Sequence, residues 1–334
     1  MKLNFLSKFL MFINLLLLII QLFLMGTFGG FFQYPFLNLM VPVVVLINFL
    51  FFIFWIFRFK WPFLLFIFSF LIGFAEWERL YKLPNNAIAV SSGLKVMSFN
   101  VRLFNSYNWM DKKNVPQSIT SFINEHSPDI VCLQEFSKEF SPMFTNYPHN
   151  YTESSRKNGH NGLSILSKYP LSNKGLIAFK NSNNSAIYAE IQYKRDTLRI
   201  YNVHLESLRI NLQDTLFTKQ SSQKFINRVT DVIKKQEIQM EKFQVVEQSN
   251  NHPSVICTDL NNNAFSKVYE GIKKNRIDAF SIAGDGLGAT YNLAYFPFRI
   301  DFIFVDPKMN VIDFNTHDVS LSDHKPISAI LTWK

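Results

Sequence analysis

Hydrophobic and polar positions follow two regimes that meet near residue 80. In the first regime apolar residues run on without period. Residues 9–25 are broken only by Asn14 and Gln21, and residues 36–57 carry Asn38 and Asn48 inside an otherwise apolar stretch. Each run approaches or exceeds the ~20 residues that cross a bilayer as a helix. A third run, 61–75, has 15 residues, which is only about 22 Å of helix against a ~30 Å hydrocarbon core. With Trp61 and Trp77 at the interfaces it is expected to span, a re-entrant or surface-lying helix being the alternative. The apolar stretch continues past one short segment, unlike a cleaved signal peptide.

Beyond residue 93 short apolar runs, rich in Val, Ile and Phe, alternate with polar connections, the pattern of strands buried in a sheet. Each run carries a polar residue at one end. Residues 94–100 end in Asn100, 129–135 in Glu135, and 198–204 in His204; 254–261 end in Asp259-Leu260-Asn261. Residues 299–305 open on Arg299-Ile300-Asp301, and Ser322-Asp323-His324 precedes the run 327–333. Helical patterns are expected at 114–126, 219–248 and 265–275. Between the regimes, residues 81–92 with Pro84, Asn85, Asn86, Ser91 and Ser92 read as a linker. The chain therefore divides into transmembrane helices (1–80), a linker (81–92) and a soluble domain (93–334).

Charge fixes the expected orientation. Residues 1–80 hold seven charged side chains, with Lys2 and Lys8 before the first run and Arg58 and Lys60 between the second and third. The connection 26–35 has none. The positive-inside rule places the N-terminus and the Arg58–Lys60 turn in the cytoplasm. Three spans would then put the soluble domain outside it, as in an integral protein of a bacterial inner membrane. The remainder of the chain has 29 basic and 23 acidic side chains. That excess suits an anionic substrate and is no nucleic-acid signature. Cys132 and Cys257 sit inside apolar runs, where buried packing is expected rather than a disulfide or a metal site.

Carboxylates and amides brought together from strand ends are hard oxygen ligands, suited to Mg²⁺ or Mn²⁺ rather than zinc, and imidazoles supply proton transfer or phosphate hydrogen bonds. The ordered set Asn100, Glu135, His204, Asp259-x-Asn261, Ile300-Asp301 and Ser322-Asp323-His324 resembles the endonuclease/exonuclease/phosphatase superfamily over about residues 93–334. Asn161-Gly162-Leu163-Ser164-Ile165-Leu166-Ser167 is similar to its central strand. One departure is Thr258 before Asp259, where the family usually has glycine.

The resemblance implies a four-layer α/β sandwich, two mixed β-sheets flanked by helices, preceded here by an α-helical transmembrane region. It implies Glu135, Asn100 and Asp323 at a metal ion, and Asp259 orienting and activating the attacking water. Asn261 would hold a phosphate oxygen, Asp301 would fix the tautomer of His324, and His204 would donate to the phosphate or leaving group. Glu153 is expected to support His204. His126, His149, His160, His252 and His317 are left as surface or loop residues. The implied function is a membrane-anchored, Mg²⁺- or Mn²⁺-dependent phosphoesterase acting on phosphodiesters, nucleic acid among the candidates. The alternatives are a phospholipid-headgroup phosphodiesterase of the sphingomyelinase type and a catalytically silent domain that binds phosphoryl ligands. Expected partners are the phosphoester substrate and the bilayer, through residues 9–75; no protein partner is implied.

Overall fold

Strands covered on both faces are near-continuously apolar, and this is how the central runs are used. The computed structural model describes residues 3–28, 35–84, 92–154, 161–209, 219–293 and 296–334. His160 and most of the expected linker lie outside these residues. The first sheet contains β1 (Leu94–Asn100), β2 (Ile130–Ser137), β3 (His149–Glu153), β4 (Asn161–Ser167), β13 (Met309–Thr316) and β14 (Ile327–Trp333), in the order β13-β14-β1-β2-β4-β3. The second contains β5 (Ser172–Ala178), β6 (Ser185–Tyr193), β7 (Asp196–His204), β8 (Ser254–Asp259), β9 (Ile277–Asp278) and β12 (Asp301–Val305), in the order β5-β6-β7-β8-β12-β9. A ribbon of β10 (Tyr291–Leu293) and β11 (Phe296–Phe298) stands apart.

Both sheets share one plan. A central parallel pair, β1 with β2 and β7 with β8, is flanked by antiparallel strands. Alternate residues of each strand face opposite layers. Val96, Cys132, Ile200, Cys257 and Ile303 meet between the sheets. Met97, Phe99, Val131 and Leu133 pack outward on Ile119, Phe122 and Ile123 of α5 (Val115–His126). Tyr201, Val203, Ile256 and Phe302 pack on Met240 and Phe243 of α6 (Lys219–Gln248) and Val268 and Tyr269 of α7 (Lys267–Lys273). The result is two mixed sheets between helical layers, as expected. A five-residue helix, α8 (Ala279–Ala283), bridges β9 and β13. Cys132 and Cys257 are buried and unbonded to each other by disulfide.

The N-terminal region is helical: α1 (Phe5–Met25), a 3-10 turn (Pro35–Met40), α2 (Val41–Phe57), α3 (Phe63–Ile72) and α4 (Phe74–Leu80). Asn4 caps α1 through the Ser7 N–H at 2.9 Å, and Gly26 ends it at φ +83°, a left-handed position that favours glycine. Two helical stretches, Phe5–Met25 and Phe36–Phe57, are long and apolar enough to cross a membrane by length and composition. The expected 61–75 span is not one helix: it is divided at Gly73, where a Cβ would stand 3.0 Å from Leu22 Cδ2. The break leaves α3 with 10 residues.

The distribution of polarity in this bundle is inverted. Phe5, Phe12, Leu16, Phe49, Leu50 and Phe68 are exposed, whereas Asn14, Gln21, Asn48 and Trp55 are buried. The buried amides bond to one another: Asn14 Nδ2 to Asn48 Oδ1 (3.1 Å), Asn48 Nδ2 to Gln21 Oε1 (2.9 Å), and Trp55 Nε1 to Asn14 Oδ1 (3.2 Å). The bundle is also seated on the α/β body. Leu24, Met25 and Val41 pack against Phe265, and Phe36 and Leu39 against Leu208, Val229 and Ile233. Lys82 exchanges two backbone hydrogen bonds of 2.9 Å with Gly286, so the chain is already pinned where the linker begins.

Candidate active site

Parallel pairing places two strand C-termini side by side, and the two sheets do so at the same edge of the sandwich. Asn100 ends β1 in register with Gln134, and His204 ends β7 in register with Asp259. Asp301 opens the antiparallel β12 directly opposite Asp259. Glu135 reaches the same edge through a β-bulge. Between Leu133 and Phe136, β2 holds one residue more than β4, and Glu135 adopts φ +49°. Bulges of this kind re-aim a side chain, and a left-handed glutamate is strain kept in place by its surroundings. Asn261, also at φ +49°, turns back so that its N–H donates to Asp259 Oδ1 at 2.8 Å.

The side chains form one connected cluster. Asn100 Nδ2 donates to Asp259 Oδ2 (2.9 Å) and Glu135 Oε1 (3.2 Å). His204 Nε2 lies 3.5 Å from Asp259 Oδ2 and 4.0 Å from Glu135 Oε1. His324 Nδ1 is 2.9 Å from Asp301 Oδ2, and its Nε2 is 3.8 Å from Asp259 Oδ2. Asp259 and Asp301 are buried, and so are both imidazoles. Asp323 follows at the rim, paired with Arg102 at 3.2 Å. Asn261 Nδ2 donates to the Leu205 carbonyl at 3.1 Å. Glu153 is not part of this group. It ends β3, the edge strand of the first sheet, and no hydrogen bond joins it to His204.

Burial works against charge on His324, but the carboxylates of Asp301 and Asp259 overcome it and push the imidazole up to about 10. Burial raises the Asp301 carboxyl; the His324 charge opposes this and Asp259 adds to it. Burial also raises Tyr291, whose ring lies 5.2 Å from that of His324.

Among the described residues, four carboxylates, Glu135, Asp259, Asp301 and Asp323, gather with Arg102, His204 and His324, a set of hard oxygen donors that fits a divalent cation. Asp301 Oδ1 and His204 Nε2 are buried and have no hydrogen-bond partner. Among the described residues, Asp259, Asp301 and His324 form a cluster with metal-ligand chemistry, their donor atoms lying within 4.8 Å of one another. It is not the expected set of Asn100, Glu135 and Asp323; the two groups adjoin through the Asn100–Asp259 bond.

Several supporting residues escaped the reading of the sequence. Asn202 of β7 reaches across to the first sheet, donating to the carbonyls of Leu133 and Ser164 at 2.9 Å and accepting from Gln134 Nε2 at 2.7 Å. These bonds sit directly behind the Glu135 bulge. Thr290 Oγ1 accepts from the Asp301 N–H at 3.2 Å. Arg102 stacks on Trp109 at 4.5 Å besides holding Asp323. A polar residue inside an apolar run was the available signal for Gln134 and Asn202.

A two-sheet α/β sandwich with an acid, amide and imidazole cluster at one edge defines a metal-dependent phosphoester hydrolase. The chain belongs to the Endonuclease/Exonuclease/phosphatase family, whose model matches residues 97–324. No curated protein matches it by sequence. Among solved structures it is similar to a Bacteroides vulgatus endonuclease/exonuclease/phosphatase (18% identity, TM-score 0.55, 73% of this chain and 100% of that one). It is also similar to the Bacteroides thetaiotaomicron mannosyl-6-phosphatase (16%, 0.54, 72% and 100%) and the human Nocturnin catalytic domain (17%, 0.55, 72% and 94%). At these identities the likeness establishes the fold.

Proposed function

We propose that this chain is a membrane-anchored, Mg²⁺- or Mn²⁺-dependent phosphodiesterase whose catalytic domain faces away from the cytoplasm. The observation that carries the chemistry is the joining of Asn100, Glu135, His204, Asp259, Asp301 and His324, from both sheets, by contacts of 2.9–4.0 Å. Glu135, Asn100 and Asp323 would hold the cation, with Asp259 and the free oxygen of Asp301 beside them. A bound divalent ion supplies charge neutralisation at the phosphoryl oxygens.

The chain's own groups divide the remaining work. Asp259, an acceptor already oriented by Asn100 and the Asn261 N–H, receives the proton of the attacking water. Asn261 holds a phosphoryl oxygen. His324, kept protonated by Asp301, donates through Nε2 to oxygens whose charge grows in the transition state. His204 Nε2, which lies near Asp259 and Glu135 but makes no hydrogen bond, is the donor for the leaving oxygen.

Inverted polarity supports the membrane reading: phenylalanines and leucines outward, bonded amides inward, is the arrangement lipid selects. Orientation is supported by the seat of the 3-10 turn on the α/β body, while Arg58 and Lys60 follow the other end of α2, about 25 Å away. That seat also favours a second reading, a phospholipid-headgroup diester, since the domain is held against the membrane rather than on a free tether.

The test uses the full chain in lipid nanodiscs with a substrate panel: a bis-aryl phosphodiester, an aryl monoester, a phosphocholine diester lipid and an oligonucleotide, each with Mg²⁺, Mn²⁺ or EDTA. Metal-dependent diester cleavage, lost in a folded Glu135→Gln variant, is expected. Turnover in EDTA, or full activity of Glu135→Gln, overturns the assignment. Topology reporters after Phe57 and after Lys334 are expected on opposite sides of the membrane; the same side refutes the placement.

A further inference from the structure

The loop that follows Asp259 is built from three consecutive asparagines, Asn261-Asn262-Asn263, and its far end is bonded to the apolar hairpin. Asn38, in the 3-10 turn between α1 and α2, donates from Nδ2 to the carbonyls of Leu24 (3.1 Å) and Phe265 (2.7 Å). Asn263 Nδ2 donates back to the Asn38 carbonyl at 2.8 Å. Asn263 Oδ1 also accepts from the Phe265 N–H at 3.0 Å, which closes the loop on itself. All of these groups are buried, with Asn38 3%, Asn263 4% and Phe265 3% exposed. Buried amides left without partners cost about 1–3 kcal/mol each, so the two elements are locked to each other.

The lock continues inward. Asn262 Nδ2 donates to Gln236 Oε1 at 2.8 Å, and Gln236 Nε2 donates to the carbonyls of Glu206 (2.7 Å) and Leu260 (3.2 Å). Glu206 lies two residues after His204, and Leu260 lies between Asp259 and Asn261. One buried polar chain therefore runs from the helical connection to the backbone on both sides of the catalytic cluster. Around it Leu24, Met25 and Val41 cover Phe265, so separation of the hairpin would expose that ring and the carbonyls together.

We propose that the apolar hairpin is a positioning element of the catalytic loop: Asn38, acting through Asn263 and Phe265, holds Asp259 and Asn261 in place, so turnover depends on the docked hairpin. This rests on the phosphodiesterase reading above. A hairpin that merely tethered the domain would need no buried, reciprocal hydrogen bonds to residues four and six positions from Asp259.

The experiment compares the full chain in nanodiscs with Asn38→Ala, Asn263→Ala and the double variant. Asn48→Ala serves as the control, since it also removes two buried hydrogen bonds, but from the interior of the bundle. Two readouts are taken: kcat and KM on a bis-aryl phosphodiester with Mn²⁺, and amide hydrogen exchange over residues 259–266. Asn38→Ala and Asn263→Ala are expected to lower kcat about tenfold, with KM moving less than twofold and faster exchange in the loop. The double variant is expected to be no worse than either single one, because both break the same unit. Asn48→Ala is expected to leave kcat and loop exchange unchanged. Wild-type kcat and exchange in Asn38→Ala overturn the proposal, as does an equal loss of kcat in Asn48→Ala, which would mark general loosening. If Asn38→Ala fails to fold, Asn263→Ala breaks the same clip from the soluble side and decides. If the wild type hydrolyses nothing in the panel, the phosphodiesterase reading fails, and the exchange measurement alone decides whether hairpin and loop are coupled.

Discussion

Replacing Asn202 with leucine tests how the two sheets hold the Glu135 bulge. The substitution keeps side-chain volume but removes three hydrogen bonds across the interface, to the Leu133 and Ser164 carbonyls and from Gln134 Nε2. Gln134 keeps its bond to Ser98 Oγ at 3.1 Å. At about 1 kcal/mol for each bond lost, the cost is about 3 kcal/mol. Leucine buries apolar surface where the amide was, which returns about 1 kcal/mol. The net loss of about 2 kcal/mol corresponds to a fall in Tm of about 4–8 °C for a domain of this size. Thermal unfolding of the full chain, followed by tryptophan fluorescence in detergent, measures it directly. Because the freed carbonyls flank Glu135, metal-dependent kcat is expected to fall as well. A Tm within about 1 °C of wild type would refute the reasoning, showing that water or a local shift replaces these bonds without penalty.

His324→Ala and Asp301→Asn are expected to be non-additive in kcat, the double variant matching His324→Ala, since Asp301 acts through the 2.9 Å contact with His324; multiplicative losses in steady-state rates would refute the pairing. Glu153→Gln is expected to leave kcat within about twofold, as no bond links Glu153 to His204, and a larger loss would place Glu153 in the site. Acid is expected to weaken the fold through His317, which burial and the neighbouring His126 hold down to about 4. The folded state binds fewer protons than the unfolded one between about 6.5 and about 4, so this contribution is whole above about 6.5 and lost as pH falls to about 4. After allowance for the partly exposed ring it amounts to about 1–2 kcal/mol. His317→Asn should therefore narrow the difference in Tm between pH 7 and pH 5, and an unchanged difference would remove His317 from the account.

What could be read in the sequence was whatever a strand's period displays. Asn100, Glu135, His204 and Asp259 close apolar runs, and a polar residue at the end of such a run has to leave the core. Asn202 and Gln134 were unread because they sit inside the runs, where only the opposite sheet can satisfy them. The clip from Asn38 to Asn263 joins positions 225 residues apart, beyond any local pattern. The helical pattern over 265–275 overshot, because Ser266 caps α7 by accepting from the Tyr269 N–H at 3.1 Å, so the helix starts at Lys267 and ends at Lys273. The apolar run 61–75 gave composition but not the break at Gly73. Glu153 was assigned by resemblance alone, and the edge position of β3 is not written in its own residues.

The partnership of β1 with β14 has a consequence in time. Leu94 lies opposite Leu331, so the strand that delivers Asn100 waits for a neighbour synthesised more than two hundred residues later. Asp323 and His324 stand immediately before that neighbour. Pairing of such distant segments makes folding slow, and it makes catalysis all-or-none during biosynthesis. A ribosome that has passed β8 has already made Asn100, Glu135, His204 and Asp259, yet the nascent domain still lacks the imidazolium and the strand that would hold its first sheet shut. This order of manufacture leaves the emerging chain without its complete catalytic cluster until β14 has been made.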